Sequence, residues 1–387
     1  MDYDKLLSRA AVEMRPSGIR RFFDIAAEMD ECISLGVGEP DFKTPWAIRD
    51  AGIRSLEKGR TFYTSNAGLM EMRIEICNYL SRRFGLCYEP KSETLVTVGG
   101  SEAIDMCIRA IVEKGDEVII PEPCYVSYEP ITTLTGGVPI AVPLKSENHF
   151  KLTADELKKA ITPKTKLLIM PFPCNPTGAV MRKEDLEEIA KVLRGTNIMV
   201  LSDEIYAELT YGEKHVSFAA IDGMRERTIL VNGFSKAYAM TGWRLGYACG
   251  PKEIIKIMTK IHQSSIMCAP TTSQYAAITA LKSCDDNIEE MRTEYDMRRK
   301  WLIKELNDMG LVCHEPQGAF YAFPSIKSTG LTSEDFCEKL LYSKHVAVIP
   351  GTAFGASGEG HIRISYSYSV EHLREALGRI AQFLREL

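Results

Sequence analysis

The chain has 387 residues, of which 45% are hydrophobic and 26% charged, so it is long enough for two domains of ordinary globular composition. Its formal net charge of -5 argues against nucleic acid as the main partner. The 11 Cys show neither a C-x-x-C pair nor a Cys/His metal spacing, which indicates reduced thiols, no metal site and a cytoplasmic location. The polar N-terminus and the lack of a long apolar run predict neither a secretory signal nor a membrane span.

The N-terminal 30 residues predict an amphipathic helical region that packs an apolar stripe, including Ile19 and Phe22, on a neighbouring element. The run 36–40 (GVGEP) then brings two glycines close together. It lacks the G-x-G-x-x-G spacing and the strand–turn–helix setting of a dinucleotide site. We therefore expect no dinucleotide to bind there.

From about residue 70, strands and helices alternate as in a parallel α/β sheet. The runs predicted as buried strands are 95–98, 117–120, 166–170, 198–202 and 228–231. Polar or aromatic residues follow their ends, namely Ser101, Tyr125, Asn175, Asp203 and Lys236. Because ligands bind at the carboxyl edge of such a sheet, we expect these side chains to converge.

Each of these residues also has a simpler interpretation. The turn at 99–101 (GGS) brings backbone N–H groups and a helix N-terminus to an anion, but capped helix starts are common. Tyr125 could stack on a flat ring or merely pack, and Asn175 stands in a turn sequence. Asp203 after an apolar strand is costly if buried without a partner, and a protonated pyridine nitrogen would suit it.

The run 232–246 (NGFSKAYAMTGWRLG) carries the strongest functional signal. Lys236 offers an amine that can condense with an aldehyde, while Ser235 and Arg244 offer partners for a phosphate. A lysine, a hydroxyl and an arginine this close together among glycines favour a site for pyridoxal phosphate (PLP). The alternative is that they are ordinary solvated residues among the 47 Lys and Arg.

The character of the chain changes after about residue 284. Helices are predicted for a long region at 252–282, for 285–309 and for 370–387, with strand-like runs at 318–324, 346–351 and 361–366. Arg363 lies in the last of these runs, where an arginine is usually a surface charge.

Together and in this order, the motifs resemble class I and II aminotransferases, which are PLP enzymes of fold type I. The match is closest around Lys236 and continues at 202–206 (SDEIY) and 175–178 (NPTG). The resemblance implies an α/β fold, with a mostly parallel central sheet, helices on both faces and a smaller α+β domain. It implies a large PLP-binding domain at 48–284 and a small domain formed by 1–47 and 285–387.

The resemblance also implies roles for single residues. Lys236 would be the catalytic residue, Asp203 would keep the ring nitrogen protonated, and Arg363 would bind the substrate carboxylate through its planar fork. Tyr63 would reach the phosphate in the other subunit of a homodimer with shared active sites. The other implied cofactor contacts are Gly100, Ser101, Glu102, Tyr125, Asn175, Tyr206, Ser235 and Arg244, and the other substrate contacts are Gly38, Asn175 and Ile19.

The implied reaction transfers an amino group from an L-amino acid to a 2-oxo acid, by analogy 2-oxoglutarate, with ping-pong kinetics. Several stretches are similar to a bacterial branch with N-acetyl-diaminopimelate and aromatic aminotransferases. Ser101 replaces a lysine of some aspartate-specific relatives, and Ile19 and Phe22 would form an apolar lid, which favours aromatic, bulky or N-acetyl-diaminopimelate-like donors. Gly233 replaces a hydroxyl residue of many relatives, so one phosphate contact is absent or replaced.

Three alternatives remain open from the residues. A PLP-dependent C–S β-lyase would share the cofactor residues, and an aspartate aminotransferase would differ only in donor. A non-catalytic PLP-binding regulator is a third alternative, although the DNA-binding segment such proteins usually carry is not seen here.

Overall fold

The computed structural model describes residues 1, 3, 6–14, 18, 22, 25, 28, 29 and 31–387. In this part of the chain the strands form a seven-stranded central sheet, a three-stranded sheet and a two-stranded pair. The strands are β1 (Ile33–Ser34), β2 (Thr94–Thr97), β3 (Glu117–Glu122), β4 (Val138–Pro143), β5 (Thr165–Met170), β6 (Met199–Asp203), β7 (Thr228–Gly233), β8 (Gly246–Cys249), β9 (Tyr321–Ala322), β10 (Val346–Ala347), β11 (Ile349–Pro350) and β12 (Ile362–Ser365).

The central sheet has the order β2-β8-β7-β6-β5-β3-β4. Strand β8 runs antiparallel to both of its neighbours, while the other pairs are parallel. Strands β2 to β7 therefore end at the same edge, as expected from the alternating pattern. This edge is where an open α/β sheet binds its ligands.

Helices cover both faces of the central sheet. Side chains alternate along β7, so that Ile229 and Val231 join one apolar cluster and Leu230 joins the other. The helices are α1 (Arg9–Val12), α2 (Trp46–Glu57), α3 (Met70–Phe84), α4 (Gly99–Ile111), α5 (Tyr128–Thr135), α6 (Ala154–Ala160), α7 (Lys183–Leu193), α8 (Lys252–Ser265), α9 (Thr271–Ser283), α10 (Asp285–Asp308), α11 (Ser333–Lys344) and α12 (Val370–Glu386). Within the described ranges, none of these helices combines the length and apolarity needed to cross a membrane.

The chain after α9 builds a smaller unit. Strands β11, β12 and β9 pair antiparallel, and helices α11 and α12 pack nearby. Strand β1 from the N-terminal part pairs with β10 through Ile33 and Val346, which joins the two ends of the chain in one sheet. This pairing agrees with a small domain drawn from both ends, although its boundaries at 47 and 285 stay a prediction.

Two predicted elements differ in the structure. The helical region at 252–282 is two helices, α8 and α9, because Pro270 caps the second helix and Met267 takes a positive φ of 75° before it. The run at 318–324 contains only the short strand β9. Phe22 is 2% exposed within the large apolar cluster, so it packs in the core, whereas Ile19 lies outside the described residues.

Candidate active site

A cavity of about 490 Å³ opens at the carboxyl edge of the central sheet. Its walls come from the ends of β3, β5, β6 and β7, from the start of α4, and from β9 and β12 of the smaller unit. The predicted residues that line it are Gly38, Gly100, Ser101, Tyr125, Asn175, Asp203, Tyr206, Ser235, Lys236, Arg244 and Arg363.

Lys236 follows β7 on a turn, and its Nζ donates a hydrogen bond to the carbonyl of Gly38 at 2.5 Å. Burial lowers the pKa of the Lys236 amine to about 8; Glu39 opposes this shift, and Arg363 and Arg244 add to it. A substantial fraction of the amine is therefore neutral, and nucleophilic, near neutral pH.

Asp203 ends β6 and is only 6% exposed. Its Oδ2 accepts a hydrogen bond from the Tyr128 phenol at 2.7 Å, and its Oδ1 accepts one from the backbone N–H of Ile205 at 3.2 Å. Burial raises the pKa of the Asp203 carboxyl despite these two donors. A buried carboxylate loses hydration when it ionises, so a cationic partner inside the cavity would stabilise its ionised form.

The first turn of α4 forms an anion cradle. Gly99 adopts a φ of +77°, and a Cβ added there would meet Arg244 Nη2 at 2.7 Å, so the guanidinium lies against the turn. A Cβ added to Gly246 would meet the Gly99 carbonyl carbon at 2.5 Å. Because glycine has no Cβ, β8 can lie close to the same turn. Ser101 and Ser235 add hydroxyls beside this helix N-terminus, where negative charge is favoured.

Arg363 enters the opposite side of the cavity from β12 and is 3% exposed. One terminal nitrogen donates to Asn175 Oδ1 at 2.8 Å and the other to the Gly36 carbonyl. Its guanidinium carbon lies 4.5 Å from the ring centre of Tyr321 and 4.7 Å from that of Phe354. Each terminal nitrogen carries a second N–H beyond these two bonds, so the planar fork retains capacity for a carboxylate.

Comparisons with known proteins show the family of the chain. The model of the family "Aminotransferase class I and II" matches residues 30–380. The chain belongs to the class I and II aminotransferases. It is 53% identical to the Bacillus subtilis protein named "Putative aminotransferase YugH", over 98% of both chains. It is 50% identical to an aspartate aminotransferase of Pyrococcus abyssi, over 96% of this chain and 97% of that one.

A solved structure of an aromatic aminotransferase from Pyrococcus horikoshii superposes with a TM-score of 0.91 at 48% identity, covering 94% of this chain and 99% of that one. Relatives named for N-acetyl-LL-diaminopimelate and aromatic amino acids match over almost the whole chain, which confirms the resemblance seen in the sequence. The fold is that of the fold type I aminotransferases, and the protein is an aminotransferase.

Two described residues assigned from the aminotransferase pattern do not line the cavity. The Glu102 side chain accepts hydrogen bonds from the Val98 backbone N–H and, at 2.8 Å, from His262 Nδ1. Tyr63 is 81% exposed and lies at a separate surface pocket. Ile19 lies outside the described residues.

Two tyrosines of the cavity escaped the sequence analysis. Tyr128 holds Asp203, and its only sequence signal is its place one helical turn after Tyr125. The Tyr321 hydroxyl lies 2.8 Å from the Tyr206 hydroxyl, and a Cβ added to Gly38 would meet that Tyr321 oxygen at 2.5 Å. The absence of a side chain at Gly38 therefore leaves room for the tyrosine pair.

Proposed function

We propose that this aminotransferase uses PLP to move the amino group of an aromatic, bulky or N-acetyl-diaminopimelate-like L-amino acid to 2-oxoglutarate, with ping-pong kinetics. The observation that carries the proposal is the meeting of four groups in one cavity. These are the Lys236 amine, the Asp203 carboxylate, the anion cradle beside Arg244, and the Arg363 fork. The choice of 2-oxoglutarate rests on the family resemblance alone.

The residues present fit PLP. The cradle suits its phosphate, Lys236 suits its aldehyde, and Tyr125 offers a ring for stacking. The buried Asp203 carboxylate has a raised pKa and is bonded to no cation among the described residues, so it suits a protonated pyridine nitrogen. When bound, PLP supplies an electron-withdrawing ring that makes a substrate Cα proton acidic.

The chain's own residues then divide the remaining work. Arg363 binds the α-carboxylate and fixes the orientation of the donor, since its two terminal nitrogens keep a second N–H each. The neutral Lys236 amine would take the proton from the donor Cα and deliver it to the carbon on the other side of the donor nitrogen, a 1,3 shift. Tyr206 offers its hydroxyl as a hydrogen-bond donor to the ring oxygen. Asn175 offers its side-chain NH2, because its Oδ1 already accepts a hydrogen bond from Arg363.

The charges of the cavity support a donor without a distal carboxylate. Among the described lining residues the cations are Lys236, Arg244 and Arg363, and the roles proposed above use all three. The Glu39 carboxylate lies at the rim, where it accepts a hydrogen bond from Thr241 at 2.8 Å and would repel a second acid. The name of the Pyrococcus abyssi relative nevertheless keeps aspartate as the second candidate donor.

A half-reaction panel tests the donor class. The loaded enzyme is mixed with one amino acid at a time, without an acceptor, and the change in its absorbance is followed. We expect phenylalanine or tyrosine to react at least about tenfold more efficiently than aspartate, a ratio typical of selection by pocket contacts. Faster reaction with aspartate would replace the proposed donor, and release of pyruvate and ammonia from cystathionine would indicate the β-lyase instead.

The pH dependence of cofactor loading gives a further prediction. Below a pKa of about 8 the neutral fraction of Lys236 grows about tenfold per pH unit, so covalent loading of the apoenzyme should accelerate up to about pH 8 and then level off. Rapid-mixing absorbance measurements, corrected with the same reaction of a free lysine derivative, report this rate. A rate that still climbs steeply beyond about pH 9 would show an amine with an ordinary pKa.

Removing the Tyr128 hydroxyl tests the support of Asp203. Tyr128→Phe deletes a hydrogen bond to a carboxylate, worth about 1.5–3 kcal/mol, and should lower turnover by roughly tenfold. It should also raise the pKa of the Asp203 carboxyl further, which the pH profile of turnover reports. Tyr247→Phe is the matched control, because it removes a buried phenol oxygen that has no hydrogen-bond partner among the described residues. Equal turnover in the two variants would contradict this role.

We also propose a homodimer that works in the cytoplasm. Phe62 and Ile266 line one surface pocket with Tyr63 and are 80% and 47% exposed, and an exposed apolar surface of this kind is typical of a subunit interface. The resemblance places Tyr63 across that interface. All eleven Cys lie in described ranges and carry free thiols, which suits a reducing compartment.

A further inference from the structure

A pair of tyrosines joins the smaller unit to the central sheet inside the cavity. Tyr321 lies in β9 of the smaller unit and is only 1% exposed. Its hydroxyl lies 2.8 Å from that of Tyr206, which follows β6 of the central sheet. The two rings meet edge to face, with 5.9 Å between their centres. One buried hydrogen bond therefore crosses from one unit to the other at the edge of the cavity.

The proposed role of Tyr206 decides which of the two hydroxyls donates. A phenol carries one proton, so Tyr206 can donate to the ring oxygen of the cofactor only if it does not donate to Tyr321. The Tyr321 hydroxyl must then donate, and the Tyr206 oxygen accepts. Among the described residues Tyr206 is the only hydrogen-bond partner of that hydroxyl, so its proton is not needed elsewhere. Hydrogen bonds in a chain polarise one another, so this donation makes Tyr206 a stronger donor.

The ring of Tyr321 has a second contact, with the arginine fork. The Arg363 guanidinium carbon lies 4.5 Å from the centre of this ring, close enough for a cation–π interaction. Strands β9 and β12 pair through Tyr321 and Ser365, two residues after Arg363, so the backbone fixes the two side chains relative to each other. Contact with the face of a ring leaves the N–H groups at the edge of the guanidinium free to bind a carboxylate.

We propose that Tyr321 is a positioning residue with two separable effects. Its hydroxyl directs the Tyr206 phenol at the cofactor's ring oxygen, and its ring holds the Arg363 fork in place for the donor carboxylate. This inference rests on the proposed function, because it needs PLP and an α-carboxylate in the cavity. Tyr321 acts through its two neighbours, so removing its hydroxyl and removing its ring should give different results.

The effect of the hydroxyl is tested by following the absorbance of the PLP-loaded enzyme as the pH is varied. A ring oxygen that receives a weaker hydrogen bond keeps more negative charge and holds a nearby proton more firmly. Tyr206→Phe should therefore raise the midpoint of this titration by at least about one pH unit, and Tyr321→Phe by about half a pH unit. In the double variant the Tyr321 change should add nothing, because it acts through Tyr206.

Tyr366→Phe is the matched control for the titration. It removes a buried phenol oxygen of the smaller unit that donates to the Ala319 carbonyl at 3.2 Å, outside the cavity. That carbonyl also accepts a hydrogen bond from Tyr211, so it keeps a partner, and the midpoint should not move. An unshifted midpoint in Tyr206→Phe would refute the ring-oxygen contact of the proposed function, and the inference with it. A shift in Tyr206→Phe without one in Tyr321→Phe, or additive shifts in the double variant, would overturn the role of Tyr321 alone.

The effect of the ring is tested by half-reactions with the best donor of the panel. Tyr321→Phe keeps the ring, so the donor concentration that gives half the maximal rate should stay within about twofold of that for the unmodified enzyme. Tyr321→Leu removes the ring and should raise this concentration roughly tenfold. Thermal melts of the loaded variants report whether both are folded. Equal half-saturating concentrations in the two variants would show that the ring does not support Arg363.

Discussion

Replacing Lys236 with alanine should lower turnover by at least about 10⁴-fold, because one amine both holds the cofactor and moves the proton at the substrate Cα. Exposed amines cannot substitute for it, since Lys236 owes its pKa of about 8 to its burial in the cavity. Steady-state transamination with the best donor of the half-reaction panel measures the loss. Borohydride treatment of the loaded enzyme, followed by peptide mass analysis, should place the reduced cofactor on Lys236.

The Lys236→Ala variant should still bind PLP without a covalent bond, because the cradle of Gly99, Ser235 and Arg244 and the Asp203 carboxylate remain. Retained binding separates the loss of chemistry from a failure to fold. Lys256→Ala, at an exposed position in α8, is the matched control and should keep full activity. Near-normal transamination by Lys236→Ala, or a cofactor trapped on another lysine, would refute the assignment.

Much of the central sheet and of the cavity was predictable from the sequence. Each buried strand is a short apolar run, and Asp203 or Lys236 interrupts that pattern where the strand ends. Parallel strands bring their ends to one edge, so polar residues in those positions converge without further information. The comparisons then confirmed the family that the same motifs resemble.

Contacts between distant segments were not predictable in this way. Nothing in the sequence near Asp203 indicates that Tyr128, 75 positions earlier, donates a hydrogen bond to it. Glu102 was expected beside the cofactor from its position in the glycine turn, but its carboxylate is held by the Val98 backbone and by His262 of α8. Local patterns predict where a backbone turns, whereas a side chain's partner depends on which helix packs beside it.

Asp203→Asn should produce opposite effects on stability with and without the cofactor. Burial raises the pKa of this carboxyl in the folded apoprotein, so the folded state disfavours its ionised form and loses stability as the pH rises above the ordinary value of about 3.9. Asparagine of the same shape removes that cost and can still accept the Tyr128 hydrogen bond at 2.7 Å, while its NH2 gives up the longer bond from the Ile205 backbone N–H. At neutral pH the apo variant should therefore melt at the same temperature as the unmodified apoprotein or above it.

Loading with PLP should reverse that order, because only the carboxylate can pair with a protonated ring nitrogen. The unmodified enzyme should gain more in Tm from PLP than Asp203→Asn does, and the variant's turnover should fall by about 10²–10³-fold, as expected when one preorganised charge is removed. Thermal melts of both proteins, apo and loaded, give the four values needed. Asp203→Glu keeps the charge and should recover part of the activity. An apo variant that melts well below the unmodified protein, together with an equal gain from PLP in both, would mean that the carboxylate serves the fold and does not face the ring nitrogen.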